Sequence, residues 1–216
     1  MQSFATRRAM MLAVAVLIAA TFAQGAAAQV TIHDLQTRWA RVNYELDGKA
    51  RLEAFEQLES TALQYTAAHP GDAGGWIWSG IIKSTHAGAT GGLGALGLAK
   101  SARKDLERAL KIDGAAMHGS AYTSLGTLYL NVPGWPLGFG SAKKAEQMLR
   151  KGLEIDPDGI DSNYFFAEFL REKGNLAEAG TYYKRAGAAA PRPGRPVADR
   201  GRHHEIETAL AALGAR

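Results

Sequence analysis

Apolar residues recur at intervals of three and four along most of this chain, and no stretch alternates as a strand would. From Asp34 to Leu46 the apolar positions are Leu35, Trp39, Val42 and Leu46, the stripe of an amphipathic helix. Asp47-Gly48 is a turn signal. A second helix follows from Arg51 to Ala68, with Leu52, Phe55, Leu58, Ala62 and Tyr65 on one face, and Pro70-Gly71-Asp72 stops it. Further along, Asp156-Pro157-Asp158-Gly159 is a sharp stop and restart, and Pro191 to Pro196 is a connector rich in proline and arginine. From Asp199 to Leu213 the pattern predicts a closing helix, with Ile206, Leu210 and Leu213 free to seal what precedes it. The reading is all-α, with nine helices.

The middle of the chain carries a repeat. Tyr122, Leu125, Gly126 and Tyr129 on one helix, followed by Ala145 and Leu149 on the next, match the anchor pattern of a tetratricopeptide repeat. The spacing has a packing reason. Glycine lets a neighbouring helix approach closely, the large residues fill the seam, and the alanine faces them with a small surface. The pattern returns downstream with Phe166, Ala167 and Leu170, a turn at Gly174, then Ala179, Tyr183 and Ala186 before Pro191. Upstream, Trp76 and Gly80 stand on a first helix and Ala102, Leu106 and Ala109 on a second. This makes three units, about 73–114, 119–157 and 160–191, with caps at 31–70 and 198–214 in a single domain 29–216. Such units cannot bury their apolar faces alone, so they stack into a right-handed α-solenoid.

Two units depart from ordinary spacing at the same place. Gly126 to Ala145 spans 19 positions and Gly80 to Ala102 spans 22, against about 12 in an ordinary repeat. The extra residues, His86 to Gly97 and Asn131 to Gly140, are expected as loops on one edge of the stack, side by side in space. Long loops in compact domains are disproportionately functional.

Composition narrows the class. Arg7-Arg8, the apolar run from Ala9 to Phe22 and Ala26-Ala27-Ala28 read as a cleaved signal peptide over residues 1–28, either general secretory or twin-arginine. The apolar run is too short and alanine-rich to favour a membrane span. Export to the periplasm is therefore expected, with secretion as the second choice. Without Arg7 and Arg8, the 25 basic residues become 23 against 21 acidic ones, too weak a balance to argue for nucleic acid. The absence of cysteine excludes disulfides, thiolate-bound metals and a lipid anchor on cysteine.

The segments Gly91-Gly-Leu-Gly-Ala-Leu-Gly-Leu, Ala121-Tyr-Thr-Ser-Leu-Gly, Val132-Pro-Gly-Trp-Pro-Leu-Gly-Phe-Gly and Asp158-Gly-Ile-Asp resemble a group of exported bacterial tetratricopeptide proteins. These are distantly similar to the T component of tripartite ATP-independent periplasmic transporters. The resemblance covers roughly 70–200. It implies a helical solenoid, a small homo-oligomer with a ligand-accessible pore, and an accessory role in solute transport. Its members are typically lipoproteins, and this chain departs from them in having no cysteine.

Catalytic and metal signatures are weak. The glycine-rich stretch 88–97 lacks the Gly-Lys-Ser/Thr ending of a P-loop and follows no strand. His203 and His204 are adjacent and diverge on a helix, and the other histidines form no ligand spacing. Ser124 and Ser141 have no evident base, and no Gly-x-Ser-x-Gly elbow exists. The expectation is a non-catalytic protein with no cofactor and no metal.

Two surfaces are left for binding a protein or peptide. In a solenoid of this kind the concave groove is lined by first-helix residues facing away from the packing anchors. Here these are Ile77 and Ile81, Thr123 and Thr127, then Tyr164, Glu168 and Arg171, unless the N-terminal helices cover Ile77 and Ile81. The other surface is the loop edge, where Trp135 and Phe139 stand among Pro133 and Pro136. Stiff aromatics there serve either as partner anchors or as a plug for the inserted loop.

Overall fold

The computed structural model describes residues 29–92 and 94–215. The proposed signal segment lies outside them. Among the described residues nine helices run in order: α1 (Ile32–Glu45), α2 (Gly48–Ala68), α3 (Ala73–Thr90), α4 (Gly94–Ile112), α5 (Ala116–Asn131), α6 (Ala142–Ile155), α7 (Ile160–Glu172), α8 (Leu176–Gly187) and α9 (Pro196–Gly214). No strand occurs among them.

Several helix starts have a local reason. Thr31 and Asp34 form a reciprocal capping box on α1, and Asp72 and Ser141 accept from backbone N–H groups at the starts of α3 and α6. Pro196 opens α9 from its first turn, where its missing N–H costs nothing. The first turn of α5 is distorted: Met117, His118 and Gly119 have φ of 50°, 55° and 71°. Left-handed backbone at two non-glycine residues is uncommon, and both Met117 and His118 lie on the concave side.

Packing is heaviest within the pairs α3/α4, α5/α6 and α7/α8. Ala102, Ala145 and Ala179 are fully buried opposite the first helices, with Leu106, Leu149 and Tyr183 beside them. Of the other repeat anchors, Leu125, Tyr129, Ala167 and Ala186 are buried, while Trp76 and Tyr122 are half-buried. Trp76 donates to the Pro70 carbonyl and lies under Arg108. The first helices α3, α5 and α7 touch in series and form the concave wall.

One expectation about the insertions is overturned. Residues 86–97 are not a loop: α3 continues to Thr90 and α4 starts at Gly94. The first pair absorbs its extra residues by lengthening both helices, because Ala87 and Ala99 bury against the core and outweigh the weak helix propensity of glycine. The second insertion is irregular. It is tied down where Gly140 N–H donates to the Pro133 carbonyl and Ser141 N–H to the Tyr129 carbonyl, both at 2.9 Å.

α9 seals more than the last repeat. Ile206 is buried against Gly187 of α8, but Ala198 and Val197 join the N-terminal cluster of Leu35, Trp39, Phe55 and Trp78. Gly201 lies directly on the Tyr44 ring of α1. The end of the chain thus rests on its beginning, and the concave face is roofed.

Candidate binding site

Roofing turns the groove into a cavity of about 1100 Å³. That is just above the roughly 300–1,000 Å³ common for ligand pockets. Its floor is Ile81, Thr123, Thr127, Tyr164 and Glu168 from the three first helices. Trp39, Asn43 and Tyr44 of α1 form one wall, and Arg192, Arg195, Arg202 and Glu205 another. The tip of the α3/α4 pair, including Gly91 and Leu96, and Val132, Pro133 and Leu137 of the second insertion also line it. The two insertions therefore do meet at one cavity.

The predicted groove residues divide. Ile81, Thr123, Thr127, Tyr164 and Glu168 line the cavity. Ile77 does not: it is fully buried in the repeat core, on the side of α3 that packs against the other repeat helices, while its neighbour Trp78 turns to the cavity. Arg171 is also outside the lining. It donates to Glu168 at 2.7 Å and Glu172 at 3.3 Å. Glu168 is occupied as well, since the Tyr183 hydroxyl donates to its other oxygen. This pair is an internal brace and not a free charged contact.

Trp135 and Phe139 do not act as a pair. Trp135 is 90% exposed at the loop tip. Phe139 turns inward, edge-on to Tyr129 at 5.7 Å and beneath Arg103 at 4.5 Å, and plugs the loop onto the stack. Leu137 is 66% exposed and stands at the cavity rim.

The densest chemistry is a charge network unmarked by sequence pattern. Asp161 accepts from Arg192 at 2.5 Å and from Arg202 at 2.9 Å. Arg192 also donates to Asp199 at 2.7 Å, and Arg202 to Glu205 at 2.5 Å. The Arg202 guanidinium stacks on Tyr164 and Phe165 at 4.3 and 4.5 Å. Burial by itself would raise the Asp161 pKa, but Arg202 and Arg192 outweigh it and hold the carboxyl well below its ordinary range. Burial pushes the Tyr164 and Tyr44 hydroxyls up, so both stay neutral donors at physiological pH. Burial also raises Glu205, against the pull of Arg202.

Elsewhere, Lys83 pairs with Asp105 at 2.5 Å beside Ser79, and His86 meets Glu59 at 2.5 Å while stacked on Phe55. These contacts brace α3 against α4 and α2. Among the described residues, no group of three or more His, Asp or Glu side chains is placed to hold a metal ion.

No protein-family model matches the sequence, and no curated protein is significantly similar to it. Among solved structures, a thermophilic tetratricopeptide protein of Thermus thermophilus is similar in fold. The TM-score is 0.55 at 16% identity, over 84% of this chain and all of the other. The fold is an all-α tetratricopeptide solenoid.

Proposed function

We propose that this is an exported, non-catalytic binding protein of the periplasm that takes part of a partner protein into its roofed concave cavity. The observation that carries the reading is the cavity itself. Five residues expected on the groove converge on it from all three repeats, with the exposed Leu137 at its rim. Solenoids of this fold commonly mediate protein interaction through that face. The charge pattern Arg7-Arg8, the apolar run and Ala26-Ala27-Ala28 support export. Among the described residues, no helix is long and apolar enough to cross a membrane.

Thr127 on the floor is a suitable place to test this, because Thr127→Trp fills the cavity from a half-buried position. The expected result is loss of partner capture from envelope extract, with a native circular dichroism spectrum. Undiminished capture by a folded Thr127→Trp variant places the interaction elsewhere.

A second reading has one observation in its favour. The closure of α9 on α1 restricts an extended chain from running through the groove, whereas a small solute needs no such passage. This suits an accessory of a solute-transport system. A ring-like homo-oligomer in solution supports it, and a strict monomer counts against it.

A further inference from the structure

Three arginines on one wall of the cavity stand among three acids, Asp161 and Glu205 on the same wall and Asp199 outside the lining, yet they do not pair evenly. Asp161, Asp199 and Glu205 are all engaged by Arg192 and Arg202. Arg195 is left over. Among the described residues its guanidinium makes no ion pair and no hydrogen bond, and its Nε is buried without an acceptor. It stacks on Trp78 at 5.3 Å, and the indole N–H of Trp78 is a second buried donor without an acceptor. Arg195 lines the cavity, and the two unpartnered donors buried at its stack with Trp78 are a local deficit of acceptors. Burial and the neighbouring Arg192 lower the Arg195 pKa, against the pull of Asp161 and Asp199.

We infer that Arg195 is the anchor of a subsite for a small amphipathic monocarboxylate, its acid on the guanidinium and its apolar body along Trp39, Ile81 and Leu96. The planar fork of arginine matches a carboxylate in a bidentate contact. One charge fits better than two, because Arg195 offers one unpaired cation while Asp161 and Glu205 on the same lining repel a dianion. The apolar body has a place to go: Trp39 and Trp78 meet edge-on at 5.6 Å, with Ile81 and Leu96 on the adjoining lining. This assignment goes beyond the partner reading above and is independent of which protein is captured.

The test titrates the purified protein with octanoate and phenylacetate, with octanamide and phenylacetamide as uncharged matches and octyl phosphate as the dianion. Calorimetry and tryptophan fluorescence report binding. Each acid should bind at least tenfold tighter than its amide, about 1.4 kcal/mol, and octyl phosphate should bind more weakly than octanoate. Arg195→Gln should erase the preference for acid over amide, and Arg195→Lys should retain part of it. Equal binding of acid and amide overturns the proposal, as does no binding of any acid up to about 1 mM. So does tighter binding of the phosphate, or a preference that survives in folded Arg195→Gln. If Arg195→Gln fails to fold, the acid-to-amide ratio of the unaltered protein still decides. Loss of partner capture in Thr127→Trp without any acid preference in the unaltered protein sinks this subsite and leaves the partner reading standing.

Discussion

Leu149 occupies the space that a side chain at Gly126 would need: a Cβ there would lie 2.5 Å from Leu149 Cγ and 3.0 Å from its backbone nitrogen. The same relationship recurs one repeat earlier, where a Cβ at Gly80 would lie 2.5 Å from Leu106 Cγ. Two glycines at equivalent positions set the approach of α3 to α4 and of α5 to α6.

Gly126→Leu should therefore overpack the seam and destabilise the protein by about 1–3 kcal/mol. The check is a chemical denaturation series with Gly97→Ala as a control, since a Cβ at Gly97 meets nothing within 4 Å. An unchanged midpoint for Gly126→Leu would mean that this seam yields at no cost.

Separating the two loop aromatics gives opposite outcomes. Phe139→Ala should cost about 1–2 kcal/mol, because it removes the contacts with Tyr129 and Arg103. Trp135→Ala should change stability by less than about 0.5 kcal/mol, since the ring is nearly bare. Partner capture should weaken in Trp135→Ala if the loop tip is a contact. Thermal melts and capture assays on the two single variants read these effects independently.

Asp161 links stability to acid. Its carboxyl titrates lower in the folded chain than in the unfolded one, so it stabilises the fold fully above its unfolded pKa of about 3.9. That contribution is lost as pH falls below this value toward the folded pKa. Asp161→Asn should lower stability at neutral pH by about 1–3 kcal/mol, leaving Arg192 and Arg202 short of an acceptor. It should also flatten the loss of stability below about pH 4. Melting curves of both proteins across that range decide; parallel pH profiles would show that Asp161 contributes no such linkage.

Export is testable on the product. Mass analysis of protein recovered from the periplasmic fraction should show Gln29 as the first residue. Full-length chain retained in the cytoplasm would remove the export reading and, with it, the envelope partner.

Much of this architecture was legible in the sequence because neighbouring helices decide it. Gly80, Gly126, Ala102, Ala145 and Ala179 sit at helical spacing on consecutive helices, so the contacts they make are between elements adjacent in the chain. Periodicity reports such contacts directly. It failed at residues 86–97, where the run of glycines and alanines after His86 reads locally as a loop, yet with Ala87 and Ala99 buried one helix runs on to Thr90 and the next begins at Gly94. It also misplaced Ile77, one position along a helix that serves two cores, with Trp78 turned to the N-terminal cluster and Ile77 to the repeats. The cavity belongs to the tertiary structure alone. Gly201 against Tyr44, and Arg192 and Arg202 on Asp161, join residues remote in sequence, and no local pattern distinguishes them from surface charges or a helix glycine. The helices were determined by side-chain period; the roof, the charge network and the unpaired Arg195 were decided by where the end of the chain came to rest on its beginning.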